Sequence, residues 1–252
     1  MQTCALGSVG GKLDLAQVER ALSARFAHTS LVSMENTHNF LGGVVLPLDY
    51  MKALCDLAHS RGAQVYLDGA RILNASVRTG IPVVDYASCC DALMFCLSKG
   101  LCAPAGSMLC GSADFIRRAD SFRKTFGGML KQPGPLAECG IVALTAMVKR
   151  LSRDHANAAR LADALRRIPE AARHMEIDEP QTNILFVTLK SMDADLFIGE
   201  CSDRGVLALH IGAGRVRWVT HNDVEAEDVD RSAAVVADIL AGHVSRSSGK
   251  RR

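Results

Sequence analysis

Two charged side chains follow two apolar runs at matching places in the chain. The run AQVYL (63–67) ends in Asp68, with Arg71 three residues on, and the run DALMFCL (91–97) ends in Ser98, Lys99 and Gly100. A carboxylate and an amine are poor core residues. At the carboxyl ends of successive strands of an open α/β sheet they stand where such folds bind their ligands. A lysine held beside a sheet end can shed its proton and attack a carbonyl carbon, and a following glycine lets backbone approach a ligand closely. The same spacing also suits a surface lysine that pairs with a nearby acid.

Taken as a pair, Lys99 as a Schiff-base amine and Asp68 as the carboxylate that keeps a pyridine nitrogen protonated describe a pyridoxal phosphate site. Asp68 equally suits capping a helix that starts near Arg71. Arg71 and Arg217 are guanidinium forks able to grip a carboxylate. Arg71 lies one turn from Asp68 and could simply pair with it. Arg217 alternates with Val216 and Trp218, the pattern of a strand with a solvated face. His38 closes a strand in a polar run and fits a site histidine or an ordinary loop residue alike.

The elements that must position these residues follow from periodicity. Residues 1–12 hold a glycine cluster; a phosphate loop would need Gly at 6 and Ser or Thr at 13, where Leu6 and Leu13 stand, so a plain loop is expected. Asp14 with Gln17 reads as a capping box, and Leu15, Val18, Leu22 and Phe26 share a helical face. Ser30–Met34 reads as a strand, and Asp49–Ser60 as a helix stopped by Gly62. The alternation repeats through Asp68 and Lys99, which predicts an α/β fold with a mainly parallel sheet and helices on both faces. A short strand at Met108–Cys110, a basic helix at Ala113–Phe126 and a long helical region over Leu136–Arg167 come next. Then follow a strand at Asn183–Leu189, a helix at Asp193–Arg204, strands at Val206–His210 and Arg215–Val219, and a helix at Val224–Ala241. The expected division is a large domain over 1–150 and a small α+β domain over 151–252.

Composition narrows the classes. The 252 residues carry 48% apolar and 22% charged residues and a net charge of +2, so a polyanion partner is not indicated. The basic tail Lys250, Arg251 and Arg252 reads as a frayed end. No apolar run approaches the ~20 residues of a membrane helix. The polar, glycine-rich start lacks a signal-peptide core. Nine cysteines, several of them inside strand and helix patterns, point to reduced thiols and a cytoplasmic setting, and none has zinc spacing. No metal is expected.

The motifs ENTHN (35–39), VLPLDYM (45–51), YLDGARILNA (66–75), CLSKGLCAPAGSMLCG (96–111), FRKTFGG (122–128), NILFV (183–187) and RVRWVTHNDV (215–224) stand in one order along nearly the whole chain. Together they resemble the low-specificity L-threonine aldolases, fold-type-I pyridoxal phosphate enzymes of the aromatic-lyase-like group. The resemblance implies cleavage of threonine, allo-threonine and related β-hydroxy-α-amino acids to glycine and an aldehyde. It implies Lys99 as the Schiff-base lysine, Asp68 as partner of the ring nitrogen, and Arg71 on the cofactor's phenolic oxygen or the substrate carboxylate. It further implies Arg217 on that carboxylate, and Lys124 and Lys131 reaching a cofactor phosphate in a neighbouring subunit of a homodimer or homotetramer. Where the family has Arg, Lys131 keeps the charge without the bidentate fork.

The match has gaps. The family pattern begins upstream of Met1, so the amides that grip the phosphate, the histidine that stacks on the ring and an early serine have no counterpart here. A shortened chain with low activity of its own is the expectation. Where many members carry a histidine near the substrate hydroxyl, this chain has Arg25, with His28 close by, which leaves the hydroxyl base open. A β-eliminating lyase of the same fold and a non-catalytic partner subunit are the rival expectations.

Overall fold

The computed structural model describes residues 3–24 and 28–249, the side chains of 244–249 excepted. Arg25, Phe26, Lys250, Arg251 and Arg252 lie outside the described residues. The chain divides into two compact units, Met1–Arg150 and Leu151–Arg252.

The first unit opens with β1 (Ser8–Val9) and β2 (Lys12–Leu13), paired antiparallel across Gly10 and Gly11. Both glycines have left-handed φ, 58° and 80°, which a two-residue hairpin turn matched to strand twist requires. The expected loop is therefore a small hairpin. α1 (Leu15–Leu22) starts where the Asp14 carboxylate accepts from Ala16 N. β3 (Leu31–Glu35) leads through a single 3-10 turn at Asn39–Leu41 to α2 (Leu48–Ser60). α2 buries Met51, Leu54, Cys55 and Ala58 at helical spacing. β4 (Gln64–Asp68), α3 (Ile72–Thr79), α4 (Val83–Ala87) and β5 (Ala92–Cys96) complete the alternation. β6 (Ser107–Gly111) turns back, followed by α5 (Ala113–Thr125), which Ser112 caps, and α6 (Gly134–Val142). The long helical region expected over Leu136–Arg167 includes a π-helical turn at Ala143–Met147 and a turn at 148–150.

The sheet order is β3-β4-β5-β6, parallel across the first three strands and antiparallel between β5 and β6. Val32, Met34, Val65, Leu67 and Leu93 face one way, in register, and bury against α1 to α4. Tyr86 is fully buried in this core and its hydroxyl meets Thr79 Oγ1 at 3.0 Å. On the opposite face Leu31, Ser33, Gln64 and Leu109 are exposed, and Tyr66, Asp68 and Met94 are half-buried. This second face is covered in part: Ala92 is buried there, and a Cβ at Gly111, its partner on β6, would stand 2.8 Å from the Phe115 ring of α5.

The second unit runs α7 (Leu151–Arg166), α8 (Ala171–His174), β7 (Met175–Ile177), β8 (Ile184–Leu189), α9 (Ala194–Ser202), β9 (Leu209–His210), β10 (Arg215–Val219) and α10 (Ala226–Gly249). Its sheet is antiparallel throughout, in the order β7-β8-β10-β9. The strand expected at Val206–His210 shrinks to two residues, because Val206 N donates to Cys201 O and closes the end of α9 instead. Phe197 and Trp218 pack edge to face at 6.1 Å in this unit's own core.

Candidate active site

Glu35 pairs with Asp68 and Asp68 with Met94, so β3 and β4 end level while β5 runs on to Cys96. Asn36 N donates to Asp68 O and Gly69 N to Met94 O, each at 2.9 Å, which ties the chain leaving β3 and β4 to the neighbouring strand. Gly69 is required here by space: a Cβ would stand 2.6 Å from Leu93 Cδ1 and 2.8 Å from Met94 O. The chain can therefore turn sharply out of β4 and bring Asp68 and Arg71 to the same corner.

The Asp68 carboxylate is half-buried, and its Oδ1 accepts from Ala70 N at 3.0 Å. It does not cap α3; the cap position there is Arg71, with no side-chain cap bond. Burial first, and the Asp68 charge second, push the Tyr66 phenol up on the same sheet face. Arg71 reaches away from the helix and donates from Nη1 to Asn39 Oδ1 at 3.0 Å.

Lys99 sits in the turn after β5 with an exposed side chain. Its carbonyl accepts from Cys102 N at 2.9 Å, and Ala103 N and Leu97 O close the turn at 3.0 Å. A shallow recess beside it is lined by Arg71, Asn74, Phe95, Cys96, Lys99 and Leu101. Lys99 and Arg71 line one recess together with Ala70, two residues after Asp68; Asp68 itself does not line it.

The other expected site residues lie elsewhere. Lys124 forms an ion pair with Asp120 at 2.8 Å, one turn back on α5, with both side chains exposed. Lys131 is exposed between α5 and α6, and neither lysine lines the recess. Arg217, in the second unit, stands opposite Phe186 on β10. It is half-buried, not on a solvated face as its alternation suggested, and burial lowers its guanidinium pKa. His38 turns from the recess: its Nδ1 is 3.9 Å from Glu35 Oε2, and its ring packs beside Gly11. His28 is exposed. Asn39, which meets Arg71, was the residue missed; its signal was a polar run, ENTHN, directly after a strand. Among the described residues no cluster of His, Cys, Asp and Glu is arranged to hold a metal ion.

A family model described as beta-eliminating lyase matches residues 2–191. The low-specificity L-threonine aldolase of Escherichia coli K12 is 42% identical over 210 residues, covering 83% of this chain and 60% of its own. Low-specificity L-threonine aldolase 1 of Arabidopsis thaliana is 33% identical over 227 residues, covering 87% of this chain and 63% of its own. The chain thus spans a little under two thirds of the length of these relatives. The threonine aldolase of Leishmania major superposes with a TM-score of 0.72 at 18% identity, over 92% of this chain and 68% of its own. An N-acetylornithine aminotransferase from Stenotrophomonas maltophilia does so with a TM-score of 0.68 at 19% identity, over 92% of this chain and 61% of its own. These two structures share its α/β fold.

Proposed function

The chain belongs to the beta-eliminating lyase family, and from that membership we propose that it is a pyridoxal-phosphate-dependent aldehyde-lyase acting on L-threonine, L-allo-threonine and related β-hydroxy-α-amino acids. The products are glycine and an aldehyde. Supporting the substrate class are the names of the relatives, low-specificity L-threonine aldolases from a bacterium and a plant. The observation that weighs most is the placement of an amine and a carboxylate at the exits of adjacent parallel strands, with Arg71 in the same recess as Lys99.

The donor set at this corner fits the cofactor. Lys99 offers a primary amine to its aldehyde carbon, Asp68 an acceptor for its protonated ring nitrogen, and Arg71 a donor fork for its phenolic oxygen or for the substrate carboxylate. When bound, pyridoxal phosphate supplies the electron sink that makes cleavage at Cα accessible. The protein's own part is positional. Ala70 N holds the Asp68 carboxylate in place, so a ring nitrogen facing it keeps its proton. Arg71 fixes a carboxylate and thereby the orientation of the bond to be broken, a contribution of up to ~7–11 kcal/mol in well-oriented systems. Arg217 is assigned to the substrate carboxylate from its motif and its half-buried setting.

The same reading extends to a homo-oligomer, a dimer or tetramer, in which Lys124 and Lys131 serve a neighbouring subunit's cofactor phosphate. It is supported by α5, which buries no residue of its own. Phe122 and Phe126 stack there at 6.3 Å while 62% and 82% exposed, an unusual display for a monomer. Nine free thiols favour the cytoplasm.

Mixing the chain with pyridoxal phosphate, reducing with borohydride and mapping the label by mass spectrometry tests the assignment. The expected result is a visible absorption band and a label on Lys99, both lost in Lys99→Ala. An equal band in the variant would overturn it. β-Elimination is the second reading, favoured by the family's own description. It would release ammonia from threonine where aldol cleavage releases glycine.

A further inference from the structure

We propose that the β1–β2 hairpin is a strap across the loop that follows β3, with the Tyr50 phenol as its latch, so that hairpin and loop open together as one unit. A pair of two-residue strands has too few bonds of its own to persist in water. What holds this one comes from α2 and from the loop. The Tyr50 hydroxyl takes both backbone groups of a single residue: it accepts from Leu13 N at 2.7 Å and donates to Leu13 O at 3.1 Å. Burial raises the phenol's pKa, against a smaller lowering by the Leu13 bond, so the hydroxyl keeps the proton it donates. Lys12 sets its ammonium 5.9 Å from the centre of the same ring.

The hairpin's turn bears on the loop. Gly11 is buried, and a Cβ there would stand 3.2 Å from Leu46 Cδ2 and 3.5 Å from His38 Cβ and Cδ2. His38 and Leu46 belong to the two sides of the loop's neck. His38 N donates to Val44 O at 2.8 Å and Gly43 N to His38 O at 2.9 Å. The buried Asn36 amide accepts from Leu46 N at 3.1 Å and donates to Leu46 O at 3.3 Å. Beyond the neck, Gly42 and Gly43 take left-handed φ of 84° and 70°, and Phe40 stands 68% exposed. The root of the loop is tied to the sheet, since Asn36 N donates to Asp68 O. The strap therefore bears on the segment that leaves the sheet beside Asp68. With the latch undone, the turn no longer presses on His38 and Leu46, and the neck loses that support.

The test is limited proteolysis of the full chain and of Tyr50→Phe with chymotrypsin, which cuts after accessible aromatic residues. Phe40 near the loop's tip and Phe122 and Phe126 on α5, 62% and 82% exposed, all offer sites. A cut needs the chain around it to open first, so its rate follows the population of the open form. Tyr50→Phe keeps the ring and removes only the hydroxyl. Cleavage at Phe40 is expected to quicken about tenfold, the value of the lost hydrogen bonding, while the α5 sites, which report general loosening, stay unchanged. An equal rise at all three sites, or none at Phe40, would overturn the proposal. A second measurement needs no variant: amide hydrogen exchange of the native chain in low urea. Leu13, His38 and Gly43 are expected to share one opening with one urea slope, smaller than that of the β4 amides. A slope for Leu13 that differs from that of the two loop amides would mean that hairpin and loop open separately, and the strap would fall with it.

Discussion

Gly69→Ala tests how tightly the corner between Asp68 and Arg71 is packed. The new methyl would lie 2.6 Å from Leu93 Cδ1, 2.8 Å from Met94 O and 3.1 Å from Ile72 Cβ, where ordinary contacts begin at 3.4 Å. Leu93 Cδ1 is the end of a side chain and can swing. Met94 O cannot, because it accepts from Gly69 N and belongs to the strand in register with Asp68. The corner must therefore move by about half an ångström, and overpacking of this kind costs ~1–3 kcal/mol. All three tyrosines, Tyr50, Tyr66 and Tyr86, lie in the first unit. Urea unfolding followed by tyrosine difference absorbance reads that unit directly, and the midpoint is expected to fall with the slope unchanged. Gly80→Ala is the contrast: nothing lies within 4 Å, and the cost comes only from its φ of +74°, about 1 kcal/mol. A Gly69→Ala midpoint within ~0.5 kcal/mol of wild type, the range of an ordinary surface substitution, would show that the corner is looser than these distances say.

Three further outcomes follow from titration and exposure. Burial alone would raise the Asp91 carboxyl, yet the His59 imidazole at 2.9 Å and the Val65 N–H at 2.7 Å hold it below the usual range. Its native pKa is thus the lower one, so its stabilisation is complete above the unfolded carboxyl pKa and is lost as pH falls through the native value. Asp91→Asn is expected to flatten the acid side of the midpoint-against-pH curve. In the second unit, burial first and then His243 and Arg173 lower the His174 imidazole, whose Nδ1 meets Ser191 Oγ at 2.5 Å. By the same sign the fold gains from neutral His174 and loses that gain on acidification; His174→Gln should blunt the loss below pH ~6.5, read from Trp218 fluorescence. Burial pushes the Cys55 thiol up to about 12 and Cys201 to about 11. Alkylation at neutral pH is expected to label exposed Cys4 and Cys102 within minutes and to reach Cys55 and Cys201 only on unfolding, as peptide mass spectrometry would record.

The alternation of apolar runs and helical faces was legible before any coordinates: Arg215–Val219 forms a strand with those bounds, and α2 ends at Ser60, two residues before Gly62. What escaped depended on neighbours distant in sequence. LVSME at 31–35 contains three apolar residues, and only pairing with β4 decides that Val32 and Met34 go inward while Leu31 faces water. In ENTHN every side chain is polar, so nothing local separates His38, which turns to Glu35 and Gly11, from Asn39, which meets Arg71. Arg217, alternating with Val216 and Trp218, looked like the solvated face of a short strand. Its half-burial depends on side chains distant in sequence, which a two-residue alternation does not reveal.

The partly covered side of the first unit's sheet, with Leu31 44% and Leu109 41% exposed, bears on how this protein must be handled. Environment-sensitive dyes such as ANS, whose fluorescence usually signals a molten globule, have a resting place on the intact chain. A bright dye signal here is compatible with a fully folded sample. Denaturation of this protein is better followed by its own chromophores than by any added hydrophobic reporter.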